Sequence, residues 1–207
     1  MNFKDMMKSD LLLVENALEE YLKVKDEMFP KLFEAMAYTT MAGGKRIRAF
    51  LTLTFTRMTG GNVESALPFA CALEMVHAYS LIHDDLPCMD DDDMRRGKPS
   101  NHKVFGEAEA LLAGDALLTY AFELCGSNPY VSSQCARDAV VYLAQYAGAC
   151  GMVGGQVLDL EGEKRKLTKE ELHHVHDLTT SCLIQAAAVL GCCTSDKGQQ
   201  FIEIAKN

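Results

Sequence analysis

The sequence predicts an all-α protein, and two observations carry that expectation. Apolar residues recur at helical spacing along almost the whole chain, and alternating β-branched runs bounded by turns are hard to find. Ser9 and Asp10 stand as caps before a helix over "SDLLLVENALEEYL", and Pro30 suits the first turn of "PKLFEAMAYTTMA", which closes at Gly43-Gly44. A third helix is predicted from about Lys45 to Met58, stopped by Gly60-Gly61. A fourth, from about Ser65 to His83, is apolar nearly all round and belongs at the centre of a bundle. The stretch from Leu86 to Phe105 is polar, holds Pro87, Gly97 and Pro99 and has no periodicity, so it reads as a long loop that carries function. Helices resume near Gly106 to Cys125, Ser132 to Val153 and Lys169 to Leu190. Thr168 and Glu171 form a capping box before the last of these, and Gly191 reads as its stop. A short helical start, "GQQFIEIAKN", ends the sequence. With no internal repeat or dividing linker, the 207 residues read as one domain.

A net charge of -9 without an extended basic face argues against nucleic acid as a partner. Eight cysteines scattered through apolar helical stretches, with no CxxC pair and no secretory signal, read as reduced cytoplasmic thiols. No unbroken apolar run reaches the roughly 20 residues that span a bilayer, so a membrane span is not expected. "HHVH" at His173, His174 and His176 does not place its imidazoles on one helix face and is not read as a metal site.

The chemistry concentrates in "HDDLPCMDDDDMRRGKPSNHKVFGE". His77 and Asp84 lie seven residues apart, about two helical turns, so one face carries both. That face ends at the negative pole of the helix dipole, where massed aspartates call for a cation. Converging carboxylates suit Mg²⁺, which prefers one or two of them together with water and phosphate oxygens. Arg95 and Arg96 follow at once, and a planar guanidinium grips phosphate with two parallel bonds. In "GGKRIR", Lys45 and Arg48 are three apart on one helix face, with Arg46 directed elsewhere. Two phosphate positions are therefore expected, one reached through metal and one by direct basic contacts.

These residues resemble a known family. "GGKRIRAFL", the aspartate stretch with its upstream "EMVHAYSLI", "LLAGDALL" and "GMVGGQVLDL" look like trans-prenyltransferases, the short-chain polyprenyl diphosphate synthases, from about Lys31 to Leu190. The resemblance implies an isoprenoid synthase helical bundle, a homodimer, and chain elongation with Mg²⁺ as cofactor. Lys45, Arg48, His77 and Arg96 match positions that hold the diphosphate of isopentenyl diphosphate. Arg95, Gln156 and Thr180 match the allylic diphosphate side, Gln156 and Asp159 forming a Gln-x-x-Asp pattern. Asp84, Asp85 and Asp90 match the metal-binding motif DDxxxxD. The implied reaction ionises dimethylallyl or geranyl diphosphate, adds the alkene of isopentenyl diphosphate and loses a proton, with no side-chain nucleophile. Tyr79 and Ser80, five and four residues before Asp84, stand where the floor of a hydrocarbon tunnel is expected. A bulky Tyr79 and the inserted Pro87-Cys88 resemble the bacterial farnesyl-producing members; the loop also resembles plant geranylgeranyl-producing ones.

Two departures bear on activity. The family pattern continues to a second motif, DDxxD, which these 207 residues lack, so the domain is expected to be truncated before it and to miss the last helices. Thr179-Thr180-Ser181 stands where the family has Lys-Thr-Gly. Besides farnesyl synthesis, two alternatives remain open: a catalytically inactive subunit that binds diphosphate, Mg²⁺ or a partner, and a geranylgeranyl diphosphate synthase.

Overall fold

The computed structural model describes residues 2–206. It separates into two compact units, Met1–Ile47 with Glu74–Glu123, and Arg48–Leu73 with Leu124–Asn207. The all-α expectation holds, with one ribbon of two two-residue strands as the exception among the described residues.

The first unit opens with α1 (Phe3–Tyr21). It begins about two turns earlier than predicted, because Asn2 accepts a hydrogen bond from Asp5 N at 2.9 Å and so supplies the cap. Ser9 and Asp10 are interior to the helix, and Asp10 starts the buried stripe Asp10, Val14, Leu18. α2 (Pro30–Thr40) carries Pro30 in its first turn, where a missing N–H costs nothing. Gly43 and Gly44 follow at φ 86° and 142°, backbone that a side chain would strain. The second unit contributes most of α3 (Ile47–Met58), so Lys45 and Arg46 precede the helix, and Arg46 sits at φ 48°. The same-face argument for Lys45 and Arg48 therefore fails, since helical spacing does not apply to Lys45. α4 (Val63–Asp84) is buried nearly all round, as expected of a central helix.

The stretch predicted as a long loop holds short ordered elements. β1 (Met94–Arg95) pairs antiparallel with β2 (Lys98–Pro99), and α5 (Asn101–Phe105) follows. Arg96 and Gly97, both at positive φ (53° and 78°), form the two-residue turn whose twist matches that of a hairpin. α6 (Glu107–Gly126) completes this part of the chain.

In the second unit, α7 (Ser133–Ala147) and α8 (Met152–Lys164) replace the single helix predicted over Ser132 to Val153. Gly151 N donates to Gly148 O at 3.0 Å in the turn between them. α9 (Lys169–His176) starts at the predicted capping box: Thr168 N donates to Glu171 Oε2 at 2.8 Å and Glu171 N to Thr168 Oγ1 at 3.2 Å. A π-helical segment, Asp177–Ser181, joins α9 to α10 (Cys182–Cys192). Gly191 lies inside α10 rather than ending it. A Cβ there would come within 2.5 Å of Thr52 O, so the glycine serves a close crossing with α3, where Thr56 Oγ1 donates to Gly191 O at 3.1 Å. α11 (Asp196–Gln199) and α12 (Ile202–Ala205) are short.

Among the described residues none of the eight cysteines is joined in a disulfide. Two helical stretches, Val63–Asp84 and Lys169–Cys192, reach the length and hydropathy of a membrane span, which the unbroken-run criterion overlooked. In the first, 78% of the apolar window is buried within the protein, as in a core helix.

Candidate functional site

Lys45, His77, Tyr79, Ser80, Asp84, Asp85, Asp90, Arg95 and Arg96 fall in the first unit; Arg48, Gln156 and Thr180 fall in the second. α4 delivers the first aspartates, as its periodicity predicts. Beyond it the chain folds back at once, with Asp90 N donating to Asp84 O at 2.9 Å and Met89 N to Leu86 O at 2.8 Å. Exposed Pro87 and Cys88 lie within the turn that this hydrogen bond closes. Asp84 is half-buried and Asp90 exposed, and both present oxygen donors of the hard kind that Mg²⁺ accepts.

Asp85 is different. Only 1% exposed, it accepts from Arg95 Nε at 2.8 Å and, through the same Oδ1, from Nη2. Asp92 Oδ2 lies 3.3 Å from the same Nη2. The hydrogen bond to Asp85 holds the Arg95 pKa above its usual value. Arg95 and Asp85, read from sequence as a phosphate contact and a metal ligand, are thus bound to each other. The aspartate orients the guanidinium and neutralises part of its charge.

Arg96 is set by the hairpin turn. Its Nη1 donates to Gly43 O, and Nη2 stands 3.4 Å from His77 Nε2. A Cβ on Gly44 would fall 3.1 Å from Nη1, so the glycine pair leaves the space that the guanidinium fills. Burial and then the charge of Arg46 push the Arg96 pKa down, with Glu74 opposing. The left-handed conformation costs a non-glycine residue on the order of 1–3 kcal/mol, the kind of strain that collects at functional positions.

Below this group lies a pair that the sequence reading missed. Arg46 Nη1 is 3.2 Å from Glu74 Oε2, with side chains 4% and 3% exposed, and Nη2 donates to Thr40 O at 2.7 Å. The sequence pattern directed Arg46 away from the phosphate positions without saying where it goes; it reaches Glu74 and Thr40 O. The signal was there, a single glutamate in the apolar run "FACALEMVHAY", since a buried carboxylate needs a partner.

Tyr79 is 6% exposed and makes an edge contact with His83, ring centroids 5.6 Å apart. Burial, and then the negative charge of Asp84, raise its pKa to about 12. His83 Nε2 meets Leu111 O at 3.0 Å, and a Cβ on Gly114 would come 2.1 Å from it, so the glycine of "LLAGDALL" makes room for the ring. Ser80 Oγ donates to His77 O at 2.9 Å.

In the second unit, Gln156 lies on α8 beside Gly155. A Cβ on Gly155 would meet Leu178 and Thr179 at 2.7 and 2.9 Å, so α8 presses on the π-helical segment that contains Thr180. π turns are rare and often found at functional positions. Thr179 Oγ1 turns back to donate to Val175 O at 2.9 Å.

The polyprenyl synthetase family matches residues 29–207. The chain belongs to that family. It is 47% identical over 192 residues to the farnesyl diphosphate synthase of Bacillus subtilis (strain 168), covering 92% of this chain and 64% of that protein. Against the chloroplastic geranylgeranyl pyrophosphate synthase of Capsicum annuum it is 45% identical over 192 residues, covering 92% of this chain and 52% of the relative. The crystal structure of a geranyltransferase from Legionella pneumophila superposes with a TM-score of 0.91 at 34% identity, covering 98% of this chain and 74% of the other. The chain thus has the isoprenoid synthase fold and spans somewhat less than two thirds of the Bacillus relative.

Proposed function

We propose that the protein transfers prenyl groups, condensing dimethylallyl or geranyl diphosphate with isopentenyl diphosphate to farnesyl diphosphate. One observation carries the reading: a single unit holds both the Asp84–Asp90 turn and the Arg96, His77 and Gly43-Gly44 group. In this reading Lys45, Arg48, His77 and Arg96 hold the isopentenyl diphosphate, while Arg95, Gln156 and Thr180 face the allylic one. Asp84 and Asp90 are the carboxylates for Mg²⁺. Asp85, also in the motif, acts by fixing Arg95. Bound there, Mg²⁺ would neutralise charge on the departing diphosphate. The side chains bind and orient charge; none is asked to form a covalent bond. Tyr79 and Ser80 set the depth available to the growing tail. Cytoplasmic location and a homodimer complete the proposal, the latter supported by Leu111 and Leu112 on α6, 46% and 57% exposed.

Incubating the purified protein with geranyl diphosphate, isopentenyl diphosphate and Mg²⁺ tests the reading: farnesyl diphosphate should form and depend on Mg²⁺. A geranylgeranyl product would favour the second reading, which the plant relative supports. A third reading, diphosphate binding without turnover, is favoured by Thr179, whose hydroxyl is turned to the backbone where the family pattern has a lysine. It predicts Mg²⁺-dependent bisphosphonate binding and no product.

A further inference from the structure

Beyond the Asp84–Asp90 turn, the same stretch brings together Asp91, Asp93 and His102, each offering one ligand atom within 4.8 Å of the others. The two aspartates are exposed, whereas His102 is 6% exposed and neither ring nitrogen has a hydrogen-bond partner. A buried polar group left unpaired is destabilising, and buried side-chain nitrogens in native proteins are nearly always paired with protein, water or an ion. The backbone between the three is already held. Asp91 N donates to Leu86 O at 3.2 Å, Ser100 N to Asp93 O at 2.9 Å, and Ser100 Oγ to Asp92 O. Lys103 Nζ lies 2.7 Å from Asp93 Oδ1 and holds that carboxyl below its usual pKa. The lysine engages one oxygen, and a carboxylate has two.

We propose that Asp91, Asp93 and His102 form a site for a divalent transition ion of the zinc–cobalt class, distinct from the magnesium position at Asp84 and Asp90. The donor set decides the class. Imidazole nitrogen suits zinc, cobalt and their neighbours, whereas magnesium takes oxygen. Its place suggests its use: Asp93 and Ser100 flank the hairpin Met94–Pro99, so an ion held by Asp91, Asp93 and His102 fastens the base of the ribbon that carries Arg95 and Arg96. The site stands on this loop alone and does not depend on the prenyl-transfer reading.

The test uses the full chain with Asp84→Asn and Asp90→Asn, which removes the magnesium carboxylates, titrated with CoCl2 alone and no diphosphate. One equivalent of Co²⁺ should bind with visible d–d bands showing imidazole ligation, and saturation should raise Tm. In the same background, His102→Gln and, separately, the exposed Asp91→Asn should each weaken binding by more than the about 10-fold lower bound for losing a mere outer-shell partner. Absence of a Co²⁺ equivalent in the parent background, or binding unchanged in both variants, overturns the site. Should His102→Gln lose its helical circular dichroism, Asp91→Asn and Asp93→Asn decide alone.

Discussion

Glu74→Gln is the sharpest test of how the arginine group is held. The substitution keeps shape and removes the charge facing Arg46 at 3.2 Å, where the two side chains are 3% and 4% exposed. Removing one member of a buried pair costs about 3–5 kcal/mol, because the other charge is left in a poor solvent. Three contacts soften the loss here. The amide oxygen still accepts a hydrogen bond, Thr40 O still accepts from Nη2 at 2.7 Å, and Glu15 Oε1 lies 4.0 Å from Nε. The expected cost is therefore about 2–4 kcal/mol. With a urea m-value of about 2 kcal/mol/M, the unfolding midpoint should fall by roughly 1–2 M at unchanged slope. Replacing both partners by apolar residues, Glu74→Leu with Arg46→Met, should recover most of the loss. A Glu74→Gln midpoint within roughly 0.25 M of the parent, about 0.5 kcal/mol at that slope, would refute the argument that this pair stabilises the fold.

Asp85→Asn should cost about 1–3 kcal/mol in urea unfolding with no metal present, less than a fully buried pair because the Arg95 side chain is 30% exposed; a loss seen only after Mg²⁺ is added would return Asp85 to metal binding. Tyr79→Ala should lengthen the product under the elongation assay, and an unchanged product from an active protein would remove Tyr79 from the tunnel floor. Glu171, held near pKa 2 first by Arg165 and then by the backbone N–H of Thr168, contributes stability that is present above its ordinary pKa of 4.5 and lost as pH falls through about 2. Helical circular dichroism of α9 should therefore persist at pH 5 and decline toward pH 2, and Glu171→Gln should flatten that dependence.

Long periodic elements and local caps were legible in the sequence. α4 could be read because its burial on nearly every side leaves a mostly apolar pattern, and Thr168 with Glu171 because a capping box is a four-residue device. What escaped were features that depend on chain returning from elsewhere. Asn2 pre-empted Ser9 and Asp10 as cap, since competing N-caps within a few residues cannot be ranked without knowing which face is buried. In "YAGACGMVGG" the apolar residues on either side kept a helical spacing that masked the break signalled by Gly148 and Gly151, where the chain turns. Gly191 looked like a stop because the backbone it packs against lies at Thr52 and Thr56, far away in sequence. In the site, the residue types were readable, but their pairing was not: nothing local says that Arg95 closes on Asp85, or that Arg46 reaches Glu74.

The π-helical segment Asp177–Ser181 amounts to a phase shift. One extra residue in a turn rotates everything on one side by about 100° relative to everything on the other, measured against an uninterrupted α-helix. α9, with only Val175 buried, lies on one side, and α10, buried from Ala186 through Cys192, on the other. A helical wheel drawn straight through Lys169 to Cys192 assigns one of these halves the wrong face. Deleting a single residue within 177–181 would cancel the offset, leaving either the surface helix or the core helix turned out of its place.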